Sequence, residues 1–252
     1  MSPFVRPRQL DRPTLRLIGF HHAGGSAAGY YPLTHRLPEG WELLLLDLPG
    51  RGKRHAEPPL TEMTAVIARA VADVQPWTDA PFALFGHSLG ALVAVETARE
   101  LERIGAPPVW VGVSARVAPA FHPQAGRGLA ELDDAELLTE LIALGGLPDR
   151  IHELPGFVER FLRTSRADLR AVESYRPHPD RAPLTCPVTA FGGIDDPWAP
   201  ADLLTAWSRE TTGGFRRHVM PGGHFYLLGD AFAGFAAQLI DDVEEMGAAL
   251  TH

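Results

Sequence analysis

Cysteine is almost absent from this chain, Cys186 being the single one in 252 residues. One thiol excludes an internal disulfide and a cysteine-built metal site, and Cys186 reads as a small core residue near the start of a strand. Long apolar runs are missing as well: no segment approaches the roughly 20 apolar residues needed to span a bilayer. The opening Met1-Ser2-Pro3-Phe4-Val5-Arg6-Pro7-Arg8 lacks the apolar stretch of a secretory signal. A soluble, cytoplasmic protein with no membrane association is therefore expected. Positive charge is in deficit, with 23 basic against 31 acidic residues and a formal net charge of −8. That balance argues against nucleic-acid binding and leaves an acidic partner dependent on a local basic patch.

What the chain does have is a hydrophobic share of 45%, ordinary for a full core, and a length that suits one α/β unit. Short apolar runs at 15–20, 43–46, 82–85, 109–114 and 188–191 predict buried strands, and 216–220 reads as the last strand. Helical patterns follow them at 61–75, 91–104, 201–210 and 231–246. The first has Thr61 as N-cap and Pro76 as stop, and the second ends at Gly105. Residues 1–14 read as a polar, proline-bearing arm. Between 116 and 181 the strand signal disappears. Asp133 and Glu136 make a capping-box start to a helix ended by Gly145, and a second helix runs from about Pro155 to Tyr175. The expectation is one domain, 1–252, whose mostly parallel sheet is covered on both faces and interrupted by a helical insertion at 116–181. That insertion is either a lid over the sheet edge or a packed extra helical layer.

Every unusual segment lies directly after a predicted strand, where ligands bind in open α/β sheets. Gly86-His87-Ser88-Leu89-Gly90 joins a strand to a helix, the setting in which a serine is held on a sharp turn as a nucleophile. Gly86 and Gly90 are small enough to let the chain fold back there. His224, in a glycine-flanked turn after the last strand, is the candidate base. Asp195 and Asp196 compete to orient it. Asp196, followed by Pro197-Trp198-Ala199-Pro200, is preferred, and the chain order Ser, Asp, His suits a nucleophile elbow on such a sheet. Backbone amides of Leu89 and of Ala23, in the loop after the first strand, are the candidate oxyanion donors. His87 is only a neighbour of the serine. His21 and His22 have no further ligand at a recognisable spacing, so no metal is expected. Arg51, Lys53 and Arg54 form either a local docking patch or a solvated loop with a structural arginine.

With those residues in view, the chain resembles the type II thioesterases of polyketide and nonribosomal peptide assembly lines, which are α/β-hydrolases. The resemblance rests on Phe20-His21-His22-Ala23-Gly24-Gly25-Ser26, on Leu48-Pro49-Gly50-Arg51-Gly52-Lys53-Arg54 and on Phe85-Gly86-His87-Ser88-Leu89-Gly90-Ala91. Leu144-Gly145-Gly146, Arg166-Ala167-Asp168 and Pro221-Gly222-Gly223-His224-Phe225 extend it to nearly the whole chain. His21 stands where many relatives have proline and Leu89 where many have methionine. The resemblance implies hydrolysis of acyl or aminoacyl thioesters on the phosphopantetheine arm of acyl or peptidyl carrier domains, clearing stalled or misprimed chains. It implies no cofactor beyond the substrate's own arm, and Arg51, Lys53 and Arg54 as a carrier contact; a monomer is expected. A carboxylesterase, lipase or small-molecule acyltransferase would use the same triad, so fold and triad alone leave that alternative open.

Overall fold

The computed structural model describes residues 2–121, 128–147, 151–178 and 180–247, so parts of the 116–181 insertion lie outside the described residues. One sheet holds seven strands: β1 (Phe4–Arg8), β2 (Leu15–Phe20), β3 (Trp41–Leu46), β4 (Phe82–His87), β5 (Trp110–Ser114), β6 (Val188–Gly193) and β7 (Phe215–Met220). Their spatial order is β1-β3-β2-β4-β5-β6-β7. Every neighbouring pair is parallel except β1 with β3.

Runs such as Leu43-Leu44-Leu45-Leu46 are apolar at every position because a parallel sheet is buried on both faces. Alternate side chains enter different cores. Leu43 and Leu45 join Leu17 and Phe85 on one face, while Leu44 and Leu46 join Ile18 and Leu84 on the other. Helices α1 (Met63–Val74) and α2 (Leu89–Arg103) cover the second face, and α5 (Phe232–Gly247) packs on the first. Each leucine or phenylalanine fully withdrawn from water in these layers contributes about 1.5–3 kcal/mol.

The amino-terminal arm is a correction. Residues 4–8 are not a polar tail but the antiparallel edge strand β1, with a register break between Val5 and Arg8. Pro7 is tolerated there because an edge strand with a bulge can spare one amide. Phe4 is fully buried and meets Trp77 edge-on at 5.8 Å, while Arg6 and Arg16 flank the buried carboxylate of Glu42. Two smaller corrections follow. Glu62, not Thr61, occupies the N-cap position of α1 and makes no side-chain cap, and residues 201–210 are wound as a 3-10 helix.

The inserted region contributes α3 (Asp134–Leu144) and α4 (Pro155–Ser174). The capping box forms as the sequence predicts: the Asp133 carboxylate accepts from the Glu136 amide at 2.9 Å, and Gly145 ends the helix at φ 89°. Leu137, Leu141, Leu162 and Leu169 make a separate apolar cluster between the two helices, while Ala171 of α4 enters the main core.

One topological feature places the site. Strands β2 and β4 are neighbours, yet the chain leaves β2 toward β3 on one side and β4 toward β5 on the other. The loops at their carboxyl ends part and leave a crevice, and those loops bear Ala23 and Ser88.

Candidate active site

Ser88 sits between β4 and α2 at φ 56° and ψ −112°, a region that non-glycine residues seldom occupy. The turn closes only because its neighbours are glycines. A Cβ on Gly86 would lie 1.9 Å from the Gly90 carbonyl oxygen, and one on Gly90 would lie 2.2 Å from that of Phe20. The Ser88 amide donates to the Ser114 carbonyl on β5 at 2.8 Å, which fixes the serine over the sheet edge. The amide of Leu89 opens α2 and has no intrahelical acceptor, so it points past the serine with the positive end of the helix behind it.

His224 follows β7 and Asp196 follows β6. Asp196 is buried, and its Oδ1 accepts from the amides of Trp198 and Ala199 at 2.8 and 3.1 Å. Its Oδ2 faces His224 Nδ1 at 2.9 Å. That contact puts the proton on Nδ1 and leaves Nε2 as an acceptor. His224 Nε2 is buried without a hydrogen-bond partner among the described residues. Asp195 is exposed, and its amide binds the Gly222 carbonyl. The geometry therefore joins Asp196, not Asp195, to the histidine.

Ser88, His224 and Ala23 open on one cavity of about 280 Å³, whose walls include Leu129, Leu169, Val172 and Trp198. A second, more open cavity of about 570 Å³, lined by Gly145-Gly146 and the Gly222-Gly223 turn, also reaches His224. Among the described residues no group of three or more His, Cys, Asp or Glu side chains is placed to hold a metal ion. No described helix is long and apolar enough to cross a membrane.

Three further histidines surround the site, and all are held neutral. His87 lies behind Ser88 with its ring 5.2 Å from that of His224 and its Nδ1 2.8 Å from Ser114 Oγ, which in turn meets the Tyr226 hydroxyl at 2.7 Å. Burial pushes its pKa well below the usual imidazole range, and His224 and His22 add like charge. His21 donates from Nδ1 to the His22 carbonyl and accepts the Leu48 amide at Nε2, so both nitrogens are used only in the neutral form. Burial, then Arg51, hold it well below its ordinary value. His22 is pushed down to about 4 by burial and by the nearby His224 and Arg51. The sequence reading of His87 as a mere neighbour missed this layer, because an apolar strand end does not show that a histidine is buried in it.

Burying these rings makes stability depend on pH. A base whose folded pKa is depressed binds its proton only on unfolding, so the unfolded state takes up protons once pH falls below about 6.5. Stability is full above that pH and declines toward about 4, the value for His22. Each fully buried ring steepens the decline by about 1.4 kcal/mol per pH unit. Thermal unfolding followed from pH 8 to pH 5 should show a melting temperature that is flat above neutrality and drops steeply below pH 6.5. A flat profile through that window would mean the rings are solvated.

Of the two readings of the basic loop, the structural arginine holds and the exposed patch does not. Arg51 is buried and forks onto Asp168 of α4, and Arg54 is buried against Glu57 and Asp73. Lys53 donates to the Phe4 carbonyl at 2.9 Å. Two of the three cations are thus spent inside the molecule and do not form an exposed docking patch. Asp168 is the residue whose part the sequence reading missed. The available signal was its place on the apolar face of α4, four residues before Val172 and after Thr164, where an unpaired carboxylate could not stay.

A mostly parallel sheet with a strained serine after its central strand, and an Asp–His pair on later loops, defines an α/β-hydrolase. The comparisons narrow that class. The family model described as the thioesterase domain matches residues 15–243. The chain is 40% identical over 215 residues to the thioesterase PikA5 of Streptomyces venezuelae, covering 84% of this chain and 75% of that protein. It is 35% identical over 225 residues to the gramicidin S biosynthesis protein GrsT of Aneurinibacillus migulanus, covering 89% and 87%. Among solved structures, the type II thioesterase BorB from the borrelidin biosynthetic cluster superposes with a TM-score of 0.85 at 36% identity, covering 94% of this chain and 97% of that one. The chain belongs to the thioesterase family and is an enzyme of the serine hydrolase type.

Proposed function

We propose that this enzyme hydrolyses acyl or aminoacyl thioesters on the phosphopantetheine arm of carrier domains, clearing stalled or misprimed chains from a polyketide or nonribosomal peptide synthase. The observation that supports this best is the partnerless His224 Nε2, which opens with Ser88 on an apolar cavity while Asp196 holds the opposite nitrogen. Ser88 Oγ attacks the thioester carbonyl carbon and its proton passes to His224 Nε2, the imidazolium being stabilised by Asp196. The amides of Ala23 and Leu89 hold the tetrahedral oxyanion. Collapse breaks the C–S bond, and the departing sulfur takes the proton from Nε2 to leave as the thiol. A water then gives a proton to Nε2 and attacks the acyl-serine. The second collapse releases the carboxylic acid and returns the proton to Ser88.

Two cavities meeting at His224 suit a substrate with two unlike arms. The apolar chamber fits the acyl chain. The open, glycine-lined side fits the thiol arm, whose sulfur needs a proton from that same histidine. The relatives named above are a thioesterase, a gramicidin S biosynthesis protein and a type II thioesterase of a biosynthetic cluster, which favours a carrier-bound substrate over a free ester.

The test is the ratio of kcat/KM on an acyl carrier thioester to that on an oxygen ester of the same acyl group. The carrier thioester is expected to win by at least about 100-fold, because recognition of the arm adds transition-state binding worth about 2.7 kcal/mol. An oxygen ester turned over faster would assign the enzyme to the carboxylesterases instead.

A further inference from the structure

Two segments that the chemistry above does not use, the loop bearing Arg51 and the middle of α4, meet in a buried ion pair. Asp168 Oδ1 accepts from Arg51 Nη2 at 2.8 Å, and Oδ2 accepts from Arg51 Nη1. The same Oδ2 takes a third hydrogen bond, from the backbone amide of Gly24 at 2.8 Å. Arg51 Nη1 also reaches the Gly25 carbonyl at 3.3 Å. Both side chains are almost completely buried, Arg51 at 7% and Asp168 at 1% exposure. The pair therefore grips the two residues that immediately follow Ala23.

Peptide planarity carries that grip to the amide before it. The Ala23 N–H and the His22 C=O belong to one planar unit and point in opposite directions, so holding the carbonyl aims the amide. The His22 carbonyl is held by the His21 ring at 2.8 Å and by the Gly25 amide at 3.0 Å. Gly25 is in turn held at its carbonyl by Arg51, and Gly24 at its amide by Asp168. Gly24 has φ +73°, and a Cβ there would lie 2.2 Å from Ser165 Oγ and 2.7 Å from the Phe161 ring, so α4 lies directly on the loop. Turn, ion pair and helix contact leave the Ala23 amide one direction.

We propose that Arg51 and Asp168 are positioning residues that aim the Ala23 amide at the oxyanion, so that α4 of the inserted region sets the geometry of the oxyanion site. This rests on the reading above in which that amide is an oxyanion donor. Neither residue touches the substrate. Both act through the backbone of residues 22–25, and the effect falls on the transition state alone, because only there does the carbonyl oxygen become an anion needing that amide.

The experiment compares Asp168→Asn with the parent enzyme in steady-state hydrolysis of an acyl carrier thioester and in binding of two probes. One probe is an alkylboronic acid, which forms a tetrahedral anion on Ser88; the other is the free carboxylic acid product. A side-chain amide at this position cannot accept the arginine fork and the Gly24 amide together. The expected result is a kcat lower by on the order of 10- to 100-fold with KM nearly unchanged. Boronate affinity should fall by the same factor and product affinity should stay as in the parent. Because Leu169 lines the acyl cavity, a rise in KM with kcat kept, or equal weakening of both probes, would show that the pair shapes the pocket and would overturn the proposal. Unchanged kcat and boronate affinity would overturn it as well. Should Asp168→Asn fail to fold, Arg51→Lys decides: it keeps a cation beside Asp168 but not the fork, and the same pattern is expected with a loss of roughly 3- to 10-fold. Failure of the underlying reading looks different, since boronate would then not inhibit even the parent enzyme.

Discussion

Replacing Ser88 by alanine lowers thioester turnover by roughly 10,000-fold or more, equivalent to about 5.5 kcal/mol of transition-state stabilisation, and leaves the fold in place. The expectation is specific because the variant changes so little else. The Ser88 amide still donates to Ser114, Gly86 and Gly90 still admit the turn, and alanine bears the same positive φ as serine does. What disappears is the hydroxyl that opens with His224 on the cavity and that the proposal makes the nucleophile. Residual activity would come from the proposed oxyanion amides and from His224 acting on water. The measurement pairs kcat with intact-protein mass after a brief incubation with acyl carrier substrate. Parent enzyme should gain one acyl group in place of a proton, and Ser88→Ala should gain none. An alanine variant that kept turnover within tenfold, or still acquired the acyl mass, would move the nucleophile elsewhere.

The parts of this molecule legible in the sequence are those determined by near neighbours. Strands β2, β3, β4, β5 and β6 announce themselves as mostly apolar runs because burial on both faces leaves few polar positions, and buried exceptions such as Arg16 and Glu42 are paired. The capping box at Asp133 and the tight contact of Gly86 with the Gly90 carbonyl are equally local, each satisfied within four residues. Misreadings arise where a residue's meaning depends on a distant partner. β1 looks like a polar arm because Arg6 and Arg8 read as solvated, yet one reaches Glu42 and the other the carbonyls of Thr34 and Pro38. Arg51 and Arg54 leave a docking patch and a structural arginine both open for the same reason. Charge counts assume water as the partner, and Asp168 lies 117 residues further along the chain from Arg51. His87, His21 and His22 show the converse. Adjacent in sequence, His21 and His22 only raise the question of a metal; buried with His87 they are neutral packing around His224, which is tied to the Asp196 carboxylate. Of these four rings, His224 is the one with a carboxylate, that of Asp196, at its Nδ1.

Asp196→Asn should therefore lower kcat by about 1,000- to 10,000-fold, whereas Asp195→Asn changes it by less than about twofold. The asymmetry comes from how Asp196 is anchored. Its Oδ1 is fixed by the amides of Trp198 and Ala199, both of which need an acceptor, so the carbonyl of an asparagine would stay there. The side-chain NH2 would then be turned toward His224 Nδ1. A donor facing Nδ1 reverses the tautomer, moves the ring proton to Nε2 and leaves the histidine unable to take the proton of Ser88. Asp195 has no such place: its side chain is in solvent, and only its backbone amide is engaged, with Gly222. Steady-state rates on one acyl carrier thioester separate the two variants, with thermal melts to show that each is folded. A larger loss at Asp195 would mean that the loop after β6 rearranges in solution and presents the other carboxylate. Equal small losses would mean that His224 needs no orienting partner, and the neutral histidines around it would have to supply by packing what the carboxylate is argued to supply by charge.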